Sequence, residues 1–303
     1  MGHEAVELGP AHKYHRNRRI HNFASVARMA FPGLDEKAQG GIATAALQAQ
    51  CELVINDDFR LMPEVVSRLK RNGVRVAFWF PDAVSHLSRQ LMILSNYDAL
   101  FFKDPHIVTY MASNLGLPVF YLPEACNTRW HRPLVPAGTD PCIVIAGSMY
   151  PYRVRILERL MSKGVPIRIY GVGIPQWLGD TPARNADTRR HIKREEKARV
   201  FRSAAAVLNT MDPAEVAGVN ARLFESAGCG AAVLSEYRPT LPDLFDIGRE
   251  VLAYQDFDEL VSQATRVLTE PGLTGRLGDA ATLRAHRDHS YEQRLKTILE
   301  IVS

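Results

Sequence analysis

The chain alternates short, continuous apolar runs with longer amphipathic stretches, and it does so twice in succession. Apolar runs of four to eight residues bounded by turn residues are typical of buried strands, and the longer periodic stretches are typical of helices. Strands and helices that take turns indicate βα units with parallel strands. The pattern therefore predicts an α/β protein with two Rossmann-like halves, one after the other.

Each series has its own set of predicted elements. The first gives strands at residues 53–55, 74–80, 99–102 and 119–122, and helices at 63–71, 84–94 and 106–115. The second gives strands at 142–146, 167–170, 205–209, 231–234 and 250–254, and helices at 153–162, 194–203, 219–227, 256–268, 273–286 and 291–301. A proline-rich link at 123–141 separates them, and we place the domain boundary between residues 128 and 129.

Composition narrows the class of protein. A chain of 303 residues is long enough for two cores, and its 46% hydrophobic and 23% charged residues are typical of a globular protein. A net charge of +4 does not indicate a nucleic-acid binder. The absence of a signal sequence, of an apolar run of ~20 residues and of paired cysteines predicts a cytoplasmic protein. The basic segment 12–19 is either a solvated surface or a contact for an anionic acceptor or a membrane.

The most informative stretch for function is 216–235. A polar loop with Gly218 and Asn220 leads into a helical run that carries Arg222 and Glu225. The start of a helix presents unpaired N–H groups and the positive end of the dipole, which suits a phosphate. A carboxylate further along, that of Glu225, can accept hydrogen bonds from two ribose hydroxyls. The stretch therefore predicts a site for a nucleotide diphosphate.

The same stretch resembles the signature of the GT-B glycosyltransferases of the CgeB-like (spore maturation protein) type, related to glycosyltransferase family 4. Further similarities follow in the family's order along nearly the whole chain. They lie at 78–82, 101–104, 121–133, 145–148 with Arg153, 168–171 and, less closely, 288–292. The resemblance implies a GT-B fold, two Rossmann-like domains facing a cleft, with a last helix (291–301) that packs back toward the first domain. It also implies that Glu225 binds the donor ribose and that the anomeric configuration is retained.

The chain departs from the family's pattern in two places. The family's usual first strand has no counterpart, and residues 4–8 resemble the second strand. We therefore expect a segment upstream of Met1, or a rearranged one, to supply the missing strand. In family 4 an acid that contacts the donor sugar lies eight positions before the ribose-binding Glu, and here that position is Ala217. The sugar contact must then come from elsewhere.

Glycines and arginines after the predicted strands are the candidate phosphate ligands. Gly147 and Ser148 follow the strand at 142–146, at the carboxyl edge where open α/β sheets bind ligands, and Arg153 adds positive charge. An ordinary βα turn is the alternative. Tyr170 and Gly171 end the next strand, and the resemblance implies that the loop after them holds the base. A loop that simply needs a positive φ is the alternative.

The start of the 219–227 helix supplies the other donor candidates. We expect the N–H groups around Gly218 and Val219 to face a phosphate. Asn220 caps the helix and can also contact the phosphate. Arg222 either neutralises the diphosphate or pairs with an acid such as Glu215.

On the first half of the chain, two residues can act on an acceptor. Asp82 follows a predicted strand and can orient or deprotonate an acceptor hydroxyl, and His86 lies one helical turn further. A helix cap and a surface histidine are the alternatives. Asp104, before Pro105, is interpreted as a helix cap, with acceptor binding as the alternative.

Signals for a metal are weak. The one Asp-x-Asp, at Asp256 and Asp258, opens a late helix, where acids suit the first turn. The His-x-x-His pairs at 12–15 and 286–289 lack a neighbouring acid or cysteine in a ligand pattern and are interpreted as solvated. We expect no metal and no cofactor.

The predicted activity is transfer of a sugar from a nucleotide-diphosphate donor to a hydroxyl or amine of a small molecule, glycan or protein. A non-catalytic nucleotide-sugar-binding protein and a GT-B sugar-nucleotide epimerase are the alternatives. An epimerase needs carboxylates clustered at the sugar position, and Ala217 argues against that pattern.

Overall fold

The computed structural model describes residues 2–9, 31–82, 90–135 and 138–303. The chain divides into two compact units. Unit 1 comprises Met1–Leu122 and Lys296–Ser303, and unit 2 comprises Pro123–Leu295. The domain boundary at residue 128 and the docking of the last helix stay predictions. In the described part of the chain no helix is both long and apolar enough to cross a membrane.

Unit 1 contains a four-stranded parallel sheet in the order β1-β2-β3-β4. Its elements are, in chain order, α1 (Pro32–Gln48), β1 (Leu53–Asn56), α2 (Pro63–Arg71), β2 (Arg75–Phe80), a 3₁₀ turn (Leu91–Leu94), β3 (Ala99–Phe102), α3 (Pro105–Leu115) and β4 (Val119–Tyr121).

Aromatic side chains form the centre of the unit 1 core. The ring of Phe78 lies 5.6 to 6.0 Å from the rings of three others, Phe80, Tyr97 and Phe102. Consecutive residues of β2, including Val76 and Ala77, are fully buried, so both faces of this strand are covered. That is why the sequence of a central parallel strand is a continuous apolar run.

Unit 2 contains a five-stranded parallel sheet in the order β6-β5-β7-β8-β9. Its strands are β5 (Asp140–Ala146), β6 (Ile167–Tyr170), β7 (Ala204–Asn209), β8 (Val233–Glu236) and β9 (Leu252–Tyr254). Its helices are α4 (Pro151–Ser162), α5 (Arg194–Ser203), α6 (Ala221–Gly228), α7 (Leu241–Leu244), α8 (Phe257–Thr269) and α9 (Leu273–Asp288), and α10 (Tyr291–Val302) is the last helix of the chain.

The predicted alternation of strands and helices is confirmed, and four details were wrong. Residues 4–8 form no strand and are mostly exposed. The predicted helix at 84–94 falls partly on residues 83–89, which lie outside the described residues, and ends as a 3₁₀ turn. Helices α1 and α7 were not predicted. The strand predicted at 231–234 begins at Val233, because Ala231 N–H still donates to Ser226 O at the end of α6.

Candidate functional site

The carboxyl edge of the unit 2 sheet gathers the predicted donor residues. Ala146 at the end of β5 is in register with Tyr170 at the end of β6. On the other side of β5, Asn209 ends β7 and is in register with Ser235 of β8. The turns that follow these strands therefore leave the sheet at one edge, where α/β proteins bind their ligands.

Two glycines allow the turns after β5 and β6 to touch. Gly147 and Gly171 have φ of +124° and +127°, a conformation that side chains strongly disfavour. A Cβ at Gly171 would lie 2.5 Å from the Gly147 carbonyl oxygen. A Cβ at Gly147 would lie 2.3 Å from Nη2 of Arg222. Glycine is therefore required at both positions, and at Gly147 the space is filled by a guanidinium.

Arg153, on the first turn of α4, is buried and held by neutral groups. Its Nε donates to Thr210 Oγ1 at 2.8 Å, its Nη2 to Thr210 O at 3.4 Å and its Nη1 to Ser148 O. Burial, followed by repulsion from Arg222, lowers the pKa of Arg153 to about 10. The side chain is thus a preorganised cation.

Arg222, on the first turn of α6, is half-buried and lies over Gly147. The alternative considered for Arg222, an ion pair with Glu215, is not formed, and the Glu215 carboxylate accepts from Asp212 N–H at 3.0 Å. Burial lowers the pKa of the Arg222 guanidinium, and the more distant charges of Glu225 and Glu124 offset only part of this effect. Within the described part of the chain, no carboxylate lies at ion-pair distance from Arg222 or Arg153. The two arginines therefore form a cation pair beside Gly147.

The start of α6 is capped as predicted, and it also has an unexpected partner. Asn220 Oδ1 accepts from Arg222 N–H at 3.1 Å, and its Nδ2 donates to Thr210 O at 3.1 Å. Ala221 N–H donates to Oε2 of Glu124 at 2.7 Å. Gly218 and buried Val219 lie just before the cap. The first N–H of the helix, expected to face a phosphate, is thus engaged by a carboxylate in this structure.

Glu225 lies two thirds of the way along α6 in a small charged cluster. Its Oε2 accepts from Lys197 Nζ at 2.9 Å, and its Oε1 lies 3.6 Å from His131 Nε2. His131 Nδ1 accepts from Asn127 N–H at 3.1 Å, so Nε2 carries the ring proton. Burial lowers the pKa of His131 despite the nearby carboxylate. Sequence reasoning found Glu225 and missed both partners.

The loop after β6 is held rigid by side chains from downstream. Gly171 N–H donates to Arg190 O at 2.9 Å, and Ile174 N–H donates to Asp187 Oδ2 at 2.9 Å. Arg184 donates to two carbonyl groups of the same loop. Tyr170 is buried, and burial raises its pKa.

The predicted acceptor residues lie in unit 1. Asp82 is exposed just beyond β2, while His86 lies outside the described residues. Asp104 caps α3 as predicted, and its Oδ1 accepts from His106 N–H at 2.9 Å. Roles for Asp82 and His86 stay predictions.

The histidines at the end of α9 are not solvated, contrary to the prediction. His286 Nε2 lies 2.8 Å from His131 O and 3.0 Å from Gly228 O. His289 is buried, and its Nε2 lies 2.8 Å from Leu244 O. Both rings form hydrogen bonds with backbone carbonyl groups. The sequence pattern could not show these contacts, because the partners are far away in the chain. The pair at 12–15 lies outside the described residues.

Asp256 caps α8 as expected from its position, since its Oδ1 accepts from Glu259 N–H at 2.9 Å. In the ranges that the structure describes, no three His, Cys, Asp or Glu side chains are grouped as metal ligands. Metal independence stays a prediction.

Comparison with known proteins gives a match to one family over part of the chain, and a fold. A family described as glycosyl transferase-like matches residues 153–300. No sequence among the curated proteins matches significantly. Among solved structures, sucrose-phosphate synthase from Thermosynechococcus elongatus has a TM-score of 0.62 at 15% identity, covering 88% of this chain and 77% of that one.

Two further structures give similar values. HepE from Anabaena, solved in complex with UDP, has a TM-score of 0.63 at 12% identity, covering 86% of this chain and 81% of that one. A UDP-forming α,α-trehalose-phosphate synthase from Burkholderia xenovorans has a TM-score of 0.59 at 14% identity, covering 95% of this chain and 80% of that one. The likeness shows a GT-B fold with Rossmann-like α/β units.

Proposed function

We propose that this chain, a glycosyltransferase with the GT-B fold, moves a sugar from a nucleotide-diphosphate donor to a hydroxyl or amine acceptor. Unit 2 binds the donor, with the diphosphate at Gly147 and Ser148 between Arg153 and Arg222. Glu225 binds the ribose, and the loop from Tyr170 and Gly171 meets the base. Asp82 and His86 serve the acceptor.

The cation pair of Arg153 and Arg222 carries this proposal. Among the described residues, neither the buried guanidinium of Arg153 nor the half-buried one of Arg222 has a carboxylate partner. The two groups repel each other, and burial of unpaired charge is costly. A diphosphate between them removes both penalties and accepts bidentate hydrogen bonds from each fork. When the glycosidic bond breaks, the leaving diphosphate gains negative charge, and preorganised cations stabilise that charge most in the transition state.

The finer parts of the proposal rest on the sequence. Retention at the anomeric carbon and membership of the CgeB-like type follow from the resemblance. The arginine pair supplies the charge that a divalent cation would otherwise bring, so we expect activity without metal or cofactor. UDP, which HepE holds in its solved complex, is the first nucleotide to test. A cytoplasmic location stays a prediction from sequence.

The test is thermal unfolding with UDP, GDP or dTDP at millimolar concentration. A ligand at ~100 times its Kd adds about 2.7 kcal/mol to the free energy of unfolding, so one of the three should raise the Tm of the wild type clearly. Arg222→Met should abolish the shift. Arg266→Met is the control, because Arg266 is an exposed residue that pairs with Glu270 on α8. Equal shifts in all three proteins, or no shift in the wild type, would contradict the proposal.

Turnover separates the enzyme from a non-catalytic nucleotide-sugar-binding protein. The wild type incubated with nucleotide-sugars should release nucleoside diphosphate, and excess EDTA should leave the rate unchanged. Binding without release of diphosphate or transfer, over a broad set of donors and acceptors, would favour the pure binding protein. Interconversion of the donor sugar without transfer would favour an epimerase.

A further inference from the structure

A second charged group lies beside the arginine pair, at the end of β8. Glu236 Oε2 accepts from Met211 N–H at 3.0 Å, and its Oε1 accepts from Arg238 Nη1 at 2.9 Å and from Tyr152 Oη at 3.4 Å. Its side chain is 14% exposed. None of the roles assigned so far uses this carboxylate.

One short segment connects Glu236 to the arginine pair. Thr210 and Met211 follow β7 directly. Thr210 accepts hydrogen bonds from the guanidinium of Arg153 and from the side-chain amide of Asn220. The next residue, Met211, donates its N–H to Glu236. Consecutive Cα atoms are about 3.8 Å apart. The groups that hold Arg153 and the N–H that holds the Glu236 carboxylate therefore belong to adjacent residues, which puts the carboxylate next to the proposed phosphate site.

Glu236 is also placed against the loop that precedes α6. Arg238 donates from Nε to Glu215 O at 2.8 Å and from Nη1 to Glu236. Ala217, in the same loop, offers no side-chain acceptor. The carboxylate of Glu215 is turned back to Asp212 N–H at 3.0 Å.

The carboxylate retains capacity for a ligand. A carboxylate has about four acceptor positions, and the three donors to Glu236 take three of them. The contact from Tyr152 is long and exposed, so a sugar hydroxyl can replace it. Burial and the charge of Glu236 raise the pKa of Tyr152, which keeps the phenol protonated as a donor.

We propose that Glu236 binds the sugar ring of the donor, accepting hydrogen bonds from one or two of its hydroxyls, and so determines donor specificity. This inference rests on the proposed function. It assigns the sugar to a carboxylate at the end of β8, which Met211 and Arg238 hold in place.

The experiment compares each nucleotide with its sugar conjugates. Calorimetry on the full chain gives Kd values for whichever of UDP, GDP and dTDP stabilises the wild type, and for its hexose and N-acetylhexosamine conjugates. Glu236→Gln keeps the shape and loses the charge. It should raise the Kd for the preferred conjugate at least ~10-fold, since a hydrogen bond to a charged group contributes about 1.5–3 kcal/mol. The Kd for the nucleoside diphosphate should stay within ~2-fold.

Glu250→Gln is the matched control. Glu250 is 16% exposed, accepts from one backbone N–H and contacts one arginine, but it precedes β9 at the opposite edge of the sheet. This variant should bind both ligands as the wild type does. If Glu236→Gln unfolds, Glu236→Asp is the second variant. It keeps the negative charge beside Arg238 but has a side chain one methylene shorter, and it should lose affinity for the conjugate and not for the nucleoside diphosphate.

Two results would overturn the inference alone. Either the Glu236 variants bind the conjugate as tightly as the wild type, or they weaken nucleotide and conjugate equally, which would make Glu236 a support for the phosphate site. If no nucleoside diphosphate binds the wild type, the proposed function itself fails, and this inference with it.

Discussion

At the scale of single residues, the most unusual feature is a pair of arginines with no carboxylate partner in the part of the chain that the structure describes. Arg153 is buried, yet its partners are a threonine and two carbonyl groups. Nearby acids are engaged elsewhere: Glu124 binds a helix N–H and Glu225 binds Lys197. Such an arrangement costs folding free energy unless an anion completes it. Binding sites commonly carry this kind of local conflict.

Glu225→Gln should weaken donor binding by roughly one to two orders of magnitude while the fold stays intact. The carboxylate that accepts two ribose hydroxyls would lose its charge, and charge-assisted hydrogen bonds are about twice as strong as neutral ones. Lys197→Met is the control, since it breaks the same 2.9 Å ion pair and leaves the carboxylate in place. Titration calorimetry with donor measures both. Equal Kd values in the wild type and Glu225→Gln would remove Glu225 from the site.

His289 should make stability depend on pH. Burial lowers its pKa from 6.5 to about 4, and Phe224 and Phe245 lie with ring centres 5.2 and 5.0 Å from it. Between these values the unfolded chain binds the proton and the folded one does not. The stabilisation is therefore complete above pH 6.5 and is lost as pH falls toward 4, about 2 kcal/mol of it by pH 5.

Denaturant unfolding of the wild type and His289→Gln at pH 7 and pH 5 measures this dependence. Glutamine can still donate to Leu244 O but does not titrate, so the variant should lose less stability between the two pH values. Asp288, whose pKa is lowered to about 2 by Arg287, titrates outside this window. Parallel losses in the two proteins would show that another group is responsible.

Whether the sequence predicts the contact of a single residue depends on how near in the chain its partner lies. Asn220, Asp104 and Asp256 cap helices two or three residues away, and their types and positions are sufficient to predict this. Glu124 binds an N–H 97 positions later, and Lys197 lies 28 positions before its carboxylate. No local pattern encodes such pairs, because the fold brings them together.

At the scale of elements, strands were predicted better than several of the helices and turns. Central parallel strands are buried on both faces, so each is a continuous apolar run such as the one at Ala99–Phe102. Helix α1 contains Gly40 and Gly41, which lower its helix propensity. Its small alanines, such as Ala43, Ala45 and Ala46, make the amphipathic pattern weak. The turns after strands were identified as sites from their position, whereas the contact between Gly147 and Gly171 depends on tertiary packing.

Alanine at Gly171 and at Gly147 should have different effects. Gly171→Ala places a Cβ 2.5 Å from backbone, which cannot move aside cheaply, so it should destabilise the fold by several kcal/mol. Gly147→Ala meets the end of the Arg222 side chain, which can move. We expect a smaller loss of stability, from the positive φ, together with a loss of nucleotide binding.

Thermal unfolding without nucleotide measures the loss of stability, and the shift in Tm on adding nucleotide measures the loss of binding. Gly275→Ala is the control, because nothing lies within 4 Å of a Cβ there and the residue is inside α9. It should stabilise slightly and bind nucleotide normally. If Gly147→Ala retains wild-type affinity, Arg222 does not act from its position over the turn.

At the scale of the whole molecule, every proposed donor contact belongs to one unit. Gly147, Arg153, Arg222, Glu225 and Glu236 all lie within Pro123–Leu295, and the glycosyl transferase-like match at 153–300 covers most of the same region. The structural likeness extends over 86% or more of the chain in the three structures compared. The fold is thus shared with these structures along most of the chain. The family match, in contrast, is confined to the region that holds most of the proposed donor residues.

Hydrogen exchange should therefore show nucleotide protection in unit 2. Bound diphosphate should slow exchange of the amides in the turn at 147–153, in the segment at 210–212 and at the start of α6, since these hold the cation pair and the cap. The strands of unit 1 serve as the internal reference, because none of the proposed donor residues lies on them. Arg222→Met should abolish the protection at the same nucleotide concentration. Protection confined to unit 1 segments would place the nucleotide elsewhere and would exclude the arginine pair as its site.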